Sequence, residues 1–591
     1  MLRRLALLLL ALALLGGCGG DENATTEGGP VAEAVEEQLR YLDPESSAVF
    51  AVDLRYEERN WKHLRDFISR ALRAYREAAD PQEAAQIPPN ATGALNMAAS
   101  FAGLSFERDI KPLMDGYAVV GITQRPVDPL PPEVERLREK DPADLSDLER
   151  ERILEAQADQ AAQAEPIAVL TYRTRGGGDL RKVVERLAEG SRPQPLDGYD
   201  DVVVLDGLAV VGEDTLVYVE DPDGSGDRTL LRAALDRARD GGGFQPARLA
   251  DAQRATALDD PFLLMAGDTT IARASVEEPS YRRALDEVPW LGAIRSLASA
   301  VRLDEDGADL AGTVSTDPRA LSDDDLPLAP AGDLDLPRSE LITGASRDQS
   351  FTTTFLSRTA RALFADSEFA KAVERAERDL GVRFEDEVLR QFSCPSTSQF
   401  HPGDRRFGAR SCVKDPDRMR EMLPKLSRHL PRILTTLQRL DTQGLVGLLL
   451  IAPDAPLTPS FTQLAQVVVR PFEDEQPEET LYRATGLRDR VDSELEASLP
   501  DEVVFGLIGD TFVVGSDEKM AREAAELEGE RLDEPAASAI RIPSPFLLDN
   551  VSRDEVSDEE RAVAGLLGDI VVTASADRSA LRAKGRVDLR E

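Results

Sequence analysis

Residues 103–110 read GLSFERDI, and residues 381–388 read GVRFEDEV. The two stretches share a Gly, a Phe-Glu pair and an acidic residue at the same spacing, and each ends on a β-branched residue. Similarity between distant parts of one chain is typical of internal repetition. A single match of this kind carries little weight, but further matches follow in the same order on either side.

Four more pairs of segments match in chain order. Two pairs are strand-like apolar runs, 48–54 with 341–345 and 166–172 with 407–413. The third pair, 212–219 with 509–515, shares a Gly-acid-Thr motif, and the fourth, 291–292 with 567–568, shares Leu-Gly. The sequence therefore predicts a duplication, with one copy at about 41–317 and a second at 339–591. Residues 318–338, rich in Pro and Asp, are expected to form a linker.

Within a copy, apolar runs separated by short polar turns predict antiparallel strands. Residues 202–205, 208–211 and 216–219 form one such series, and residues 298–303 and 308–314 form another around an acidic turn. Helical stretches lie between the strand groups. This arrangement favours an α+β class, in which each of two duplicated domains is a mainly antiparallel sheet packed by helices.

One insertion distinguishes the first copy. Residues of about 125–165 are rich in Glu, Arg, Ala and Gln, which favours a helix with little apolar surface to bury. A solvated helical arm and a partner-binding arm both fit this composition.

The N-terminus has the features of a secretory signal. Arg3 and Arg4 precede an apolar stretch at 5–15, which is too short to span a bilayer. Gly16, Gly17 and Cys18 follow, and this pattern resembles the lipobox of bacterial lipoproteins. The resemblance implies that residues 1–17 are a cleaved signal peptide and that the Cys18 thiol carries a diacylglyceryl group. Residues 18–40 are then expected to be a lipid-anchored flexible tether.

Two further cysteines, Cys394 and Cys412, remain after Cys18 is assigned to lipid attachment. An extracytoplasmic location permits disulfides. We predict a Cys394–Cys412 bridge that closes a hairpin-like loop and contributes about 3 kcal/mol on the chain-entropy model. Two buried free thiols are the alternative, since the spacing excludes a C-x-x-C redox centre.

The charge of the chain excludes several classes of partner. Its 591 residues include 109 Asp and Glu against 70 Lys and Arg, for a formal net charge of −39. Such a field repels phosphate backbones, so no nucleic-acid partner is expected. It also argues against docking on an anionic lipid surface through basic patches. The three His and three Cys are too few for a His-rich or Cys-rich metal centre.

The order of motifs in each copy resembles a known family. A Pro before an apolar strand, then G-x-x-F-E-x-acid, a strand, a helix, and a Gly-acid-Thr strand before a helix are similar to the bacterial domain-of-unknown-function family thirty-three fifty-two. That resemblance implies a secreted protein or lipoprotein, and it implies no catalytic residues.

The patterns that carry chemistry are mostly missing. A loop at Asp221, Asp223, Ser225 and Asp227 imitates the first half of an EF-hand, but Arg232 stands where the bidentate Glu is needed. These four residues are the one candidate for calcium binding, and the alternative is a solvated turn without a metal. We favour the turn and predict no metal site and no cofactor.

The pair Ser516 and Lys519 has the spacing of a Ser-Lys nucleophile, yet its companion motifs are absent. We interpret Ser516 as the N-cap of a helix and Lys519 as a residue on the helix surface.

These observations predict a lipid-anchored extracytoplasmic protein of the bacterial cell envelope that is not an enzyme. It is expected to bind envelope proteins or to act through an interaction surface, and to contact the membrane through its N-terminal lipid. The alternative is a carrier of an apolar ligand such as a lipid, which would need an internal apolar cavity. A hydrolase that uses scattered carboxylates fits less well.

Overall fold

The computed structural model describes residues 30–590 with gaps at 102, 124–130, 139–145, 147, 150–151, 154–155, 157–166, 177–179, 188–192, 206–207, 220–227, 270–278, 366–367, 402–405, 438–467, 473–478, 487–501 and 545–556. The fold is mixed, with 42% helix and 33% strand, and its largest feature is an antiparallel sheet. The predicted α+β class with mainly antiparallel strands is confirmed.

The first half contributes ten strands to this sheet: β1 (Ala48–Asp53), β2 (Tyr117–Thr123), β3 (Ile167–Arg173), β4 (Gln194–Leu196), β5 (Tyr199–Leu205), β6 (Leu208–Val211), β7 (Thr215–Val219), β8 (Leu263–Asp268), β9 (Ile294–Leu303) and β10 (Gly307–Thr316). Its helices are α1 (Pro30–Ala34), α2 (Glu36–Leu39), α3 (Arg59–Ala78), α4 (Pro81–Ala84), α5 (Ala91–Phe101), α6 (Pro132–Arg138), α7 (Leu180–Leu187), α8 (Thr229–Asp240), α9 (Pro246–Thr256), α10 (Pro279–Glu287) and α11 (Pro289–Ala293).

The second half begins with β11 (Asp335–Pro337), and its strands continue as β12 (Ile342–Ser346), β13 (Ser396–His401), β14 (Arg406–Cys412), β15 (Val468–Pro471), β16 (Glu479–Thr485), β17 (Glu502–Ile508), β18 (Thr511–Gly515), β19 (Gly529–Arg531), β20 (Ser538–Ile542), β21 (Leu567–Ala576) and β22 (Ala580–Leu589). Its helices are α12 (Gln349–Leu363), α13 (Glu368–Leu380), α14 (Pro416–Leu437), α15 (Glu518–Ala525) and α16 (Asp558–Ala564). Strands β11 and β19 pair as a separate two-stranded sheet.

In the described part of the chain, the main sheet has 20 strands, ten from each half. The two halves have equivalent strand orders when each is followed from its own edge toward the middle of the sheet. The first half runs β4-β5-β6-β7-β3-β2-β1-β8-β9-β10. From the opposite edge the second half runs β15-β16-β17-β18-β14-β13-β12-β20-β21-β22. The segments matched in the sequence lie at, or directly beside, equivalent strands of these two series.

The two series meet where β10 pairs antiparallel with β22. Gly307 lies opposite Asp588 at one end of this pairing, and Ser315 lies opposite Ala580 at the other. Side chains from both strands close a small core over the junction, formed by Leu310, Ile570 and Val587. One sheet therefore passes through both halves of the chain.

In the first half, apolar side chains are buried on both faces of the sheet. Val119 and Val217 face a core covered by α1, α2, α8 and α9, whereas their neighbours Ala118 and Leu216 face a second core on the opposite side. Helices α5 and α7 lie on that second face, because Ala99 and Val184 pack there.

Each half also places a helix on the other half. Helix α10 of the first half packs on α12 of the second, and α16 of the second packs on α3 of the first. Helices α10 and α11 form a closed core with α12, in which the rings of Trp290 on α11 and Phe355 on α12 meet edge to face at 5.7 Å. The α3–α16 contact is more open, since Asn60 is the one buried residue of α3 and α16 has none.

The predicted tether is wrong for residues 30–40. These residues form α1 and α2, whose Val31, Val35 and Leu39 are buried in the core of the first half. The four-residue spacing of these apolar side chains lets one face of the two short helices pack on the sheet. Residues 1–29, including the signal peptide and Cys18, lie outside the described part, as does nearly all of the 125–165 insertion except α6.

The segment at 318–338 packs closely against both halves. Leu321 and Leu326 join the α10–α12 core, and Leu336 lies on β11 in another core.

An arginine clamp stabilises the β10–β22 junction. The Nη1 of Arg586 on β22 donates to Oδ2 of Asp304 at 2.7 Å and to Oδ1 of Asp309 at 2.8 Å, so a second-half cation binds two first-half carboxylates. The hydrogen bond from Arg586 holds the pKa of Asp304 below its usual value, and burial only partly opposes this.

We predict that Arg586→Met lowers the urea midpoint of unfolding at neutral pH and that this difference shrinks in acid. A carboxyl whose folded pKa is depressed contributes stability above its unfolded pKa of about 4, and loses it as the pH falls through the folded value. Wild type should therefore lose more stability than the variant between about pH 7 and about pH 3.5.

The control is Arg338→Met, which removes the arginine of an exposed pair with Glu530 whose side chains are 70% and 61% accessible. It should follow wild type at both pH values. Equal losses of stability in wild type and Arg586→Met on acidification would contradict the clamp.

Candidate functional site

A buried polar network lies at the end of β1. Asp53, the last residue of that strand, has a side-chain exposure of 0%. Arg55 binds it with two hydrogen bonds, from Nε to Oδ1 at 2.8 Å and from Nη2 to Oδ2 at 2.9 Å. The same Nη2 donates to Oδ1 of Asp260 at 2.7 Å, so one guanidinium joins two carboxylates from distant parts of the chain.

The first turn of α3 is attached to this network. The indole Nε1 of Trp61 donates to the Asp53 carbonyl at 2.7 Å. The amide of Asn60 donates to the Asp260 carbonyl at 2.8 Å and accepts from the Leu303 N–H at 3.1 Å. The start of α3 is thereby fixed to β1, to the chain before β8 and to the end of β9.

The electrostatics of this network favour the ion pair. Burial disfavours the charge on Arg55, but its hydrogen bonds to Asp53 and Asp260 outweigh burial and hold its pKa above the usual value. The guanidinium also lies 4.7 Å from the ring centroid of Tyr117, and burial, followed by the charge of Asp53, raises the pKa of that phenol. These contacts position α3, and we assign them no step in a reaction.

The repeated G-x-x-F-E-x-acid motif is explained by backbone geometry. Gly103 and Gly381 adopt φ of +68° and +66°, the left-handed conformation that ends a helix. The next N–H donates back five residues in both cases, from Leu104 to Ala99 at 2.9 Å and from Val382 to Glu377 at 3.2 Å. The chain then forms a π-helical turn at Phe106–Ile110 or Phe384–Val388.

The acidic residue of the motif satisfies the start of that turn. Asp109 accepts from the Ser105 N–H at 2.8 Å, and Glu387 accepts from the Arg383 N–H at 3.3 Å. The bond from Ser105 lowers the pKa of Asp109. Both copies of the motif therefore have a structural role.

The predicted disulfide is present. Cys394 lies just before β13 and Cys412 ends β14, so the bridge joins the open end of the β13–β14 hairpin. The two Cα atoms are 5.9 Å apart, a separation typical of disulfides. The Cys412 N–H donates to the Pro395 carbonyl at 3.3 Å, which holds the same end of the hairpin together.

The other candidate residues remain separate or fall outside the described part. Cys18 and the loop of Asp221, Asp223, Ser225 and Asp227 are in the gaps. Among the described residues, no group of three or more His, Cys, Asp or Glu is placed to hold a metal ion.

The N-cap prediction for Ser516 is wrong by one residue. Asp517 caps α15, because its side chain accepts from the Met520 N–H at 2.7 Å. The hydroxyl of Ser516 instead accepts from the Phe407 N–H at 3.2 Å. Lys519 is exposed, as expected, and pairs with Glu523.

A cavity of about 480 Å³ lies along α15 and is lined by charged side chains: Glu518, Lys519, Arg522, Glu523 and Glu526. This cavity is a groove open to solvent at the surface, so it does not supply the enclosed internal cavity that the carrier alternative requires.

The network at Asp53 was missed in the sequence, although one signal was available. Every second residue of β1 faces the core, and Val49 and Ala51 are buried there. Asp53 is the next residue in this alternation, so its carboxylate is buried as well. A carboxylate in such a position needs a partner.

The chain matches no protein-family model, and it has no significant similarity to a curated protein or a solved structure. The resemblance to family thirty-three fifty-two therefore stays a prediction.

We predict that Asp53→Ala destabilises the protein by about 3–5 kcal/mol, because it removes the buried carboxylate that binds the half-buried Arg55 through two hydrogen bonds and leaves only the exposed Asp260 as its partner. The measurement is the urea midpoint of unfolding. Glu530→Ala removes a carboxylate from an exposed pair and is the matched control, with little change expected. An Asp53→Ala midpoint equal to that of the control would contradict the role of the network.

Proposed function

We propose that this protein is a lipid-anchored, extracytoplasmic binding or interaction protein of the bacterial cell envelope and that it is not an enzyme. The observation that carries the proposal is the Cys394–Cys412 bridge. Disulfides persist in oxidising compartments and are rare in the cytosol. The bridge thus agrees with the secretory features of residues 1–18.

The proposed anchor is the diacylated Cys18 thiol. Residues 1–17 would be removed as a signal peptide, and residues 19–29 would connect the lipid to α1. No helix of the described residues is long and apolar enough to cross a bilayer. In this proposal the N-terminal lipid supplies the attachment.

We also propose that the two halves arose by duplication. The strand order is the same when read from either edge, and the matched sequence segments occur in equivalent places of that order. The resemblance to family thirty-three fifty-two, whose members are secreted proteins and lipoproteins, is consistent with this proposal and with the location.

A role in binding is supported by the way the polar clusters are used. The carboxylates at Asp53, Asp260, Asp304 and Asp309 are each bound to an arginine of the same chain. They stabilise the fold rather than remain available as acids or bases, whereas the strongly acidic surface is available to envelope partners.

We predict that the intact mass of the protein from its own membranes equals the chain from Cys18 plus a diacylglyceryl group. Native mass spectrometry measures this mass and any ligand that leaves on activation. Cys18→Ser should lose the lipid mass because the thiol is the acceptor, whereas the Cys394→Ser, Cys412→Ser double variant should keep it. An unmodified Cys18 with residues 1–17 retained would contradict the proposal.

A further inference from the structure

Helix α3 carries an unusual charge for this protein. Its 20 residues include six Lys and Arg but two acids, in a chain whose net charge is −39. Within the described part of the chain, none of these six cations forms an ion pair with a carboxylate. Arginines elsewhere bind several carboxylates: Arg55 binds two and Arg586 binds three.

The cations are arranged along one side of α3. Arg59, Lys62, Arg70 and Arg73 recur at helical spacing, with Asp66 among them, and Arg70 is half-buried whereas the other three basic residues are exposed. A helix of this length extends about 30 Å. Its first turn is held rigidly by the Asp53 network, so the row of cations has a fixed direction relative to the sheet.

The neighbouring helix α5 is apolar and uncharged. No charged residue occurs between 84 and 106. Phe101 and Met97, one turn apart on α5, are 84% and 41% exposed. The two helices are in contact, and the Ala91 N–H at the start of α5 donates to the Ser69 hydroxyl on α3 at 3.0 Å.

We propose that α3 and α5 form a face that docks on an anionic lipid surface. The unpaired cations of α3 would contact phosphate headgroups, and Phe101 and Met97 would insert at the boundary between headgroups and acyl chains. Cationic and aromatic side chains on adjacent helices are the combination that interfacial membrane binding requires.

The proposed lipid anchor would also keep the folded body near a bilayer, whichever face turns toward the lipid, since α1 covers the face of the sheet opposite to α5. Residues 19–29 separate the proposed lipid site from α1, and a chain of this length spans at most about 40 Å. The folded body would thus stay close to the membrane. This argument rests on the proposed lipid anchor, whereas the charge and exposure of the face do not.

The negative charge of the rest of the protein does not prevent this contact. Charges in solution are screened over about 8 Å at physiological ionic strength. A membrane that approaches α3 therefore experiences mainly the local cations. A nucleic-acid duplex is a poor alternative, because its bases are already stacked on one another and gain nothing from Phe101.

The test uses flotation with lipid vesicles and the chain from Gly19 to Glu591, which carries no lipid and keeps every described residue. We expect binding to vesicles of phosphatidylglycerol and phosphatidylcholine at about 0.15 M salt, and much weaker binding to phosphatidylcholine alone. Because the lipid is absent, the result is independent of whether Cys18 is modified.

Two variants separate the contributions of the face. Lys62→Gln, Arg70→Gln, Arg73→Gln should weaken binding about a hundredfold, given about 1 kcal/mol for each cation near the surface. Phe101→Ser should weaken it about tenfold.

The controls are Arg338→Gln, Lys519→Gln, Arg531→Gln, which changes net charge equally, and Ile540→Ser, which removes another exposed apolar side chain. Both should bind like wild type, and circular dichroism checks that each variant is folded. Equal binding by the α3 variant and its control would overturn the proposal. Absence of binding to either kind of vesicle would also overturn it and would favour an acidic protein partner for α3.

Discussion

The antiparallel pairing of β10 with β22 is the constraint on which the rest of this structure depends. Without it, each ten-stranded series would end in an exposed edge strand, and such edges promote association with other chains. Gly307 marks how close the two backbones come, since a Cβ there would lie 2.0 Å from the Val587 carbonyl oxygen. The Arg586 clamp and the Leu310 core reinforce the same junction. A sheet shared by both halves thus replaces two unprotected edges.

This junction also determines where the helices lie. The two series are joined through their last strands, β10 and β22. The helices that precede the last hairpin of each half, α10 and α16, therefore contact the other half. The resulting contacts have unequal quality: α10 on α12 is a closed aromatic core, whereas α16 on α3 buries few side chains. Helix α3 depends instead on its polar attachment at Asp53. A rigid helix whose outer face is not needed for folding is free to carry unpaired cations.

Much of the fold could be predicted from the sequence, because local patterns determine it. The 298–303 and 308–314 hairpin is β9 and β10, and the Cys394–Cys412 bridge joins the hairpin predicted for it. The tether prediction failed because the Gly-rich residues before Pro30 obscured the spacing of Val31, Val35 and Leu39. The N-cap was misplaced because Ser516 and Asp517 are both good capping residues, and only tertiary contact with Phe407 decides between them.

The candidate sites could not be predicted in the same way. Asp53, Asn60 and Asp260 are brought together by strand ends that are distant in the chain, and a single sequence contains no record of that proximity. The sequence shows that the α3 segment is basic, but it does not show which of its cations form ion pairs with carboxylates, because tertiary contacts decide that. With 109 acids available, pairing was the natural expectation, and the structure shows that α3 departs from it.

The shared sheet is the central claim, and cross-strand disulfide trapping tests it most directly. Thr313 lies opposite Arg582 across the junction. Cysteines at these two positions should form a bridge under mild oxidation, because directly opposed Cα atoms are about 4.5–5.5 Å apart. Cysteines at Thr313 and Asp588, six residues out of register and roughly 20 Å apart, should not, and this pair keeps Arg586 in place. Mass spectrometry of the linked peptides gives the answer. Efficient trapping of the first pair alone is the predicted result, and equal trapping of both pairs, or of neither, would contradict a sheet joined through β10 and β22.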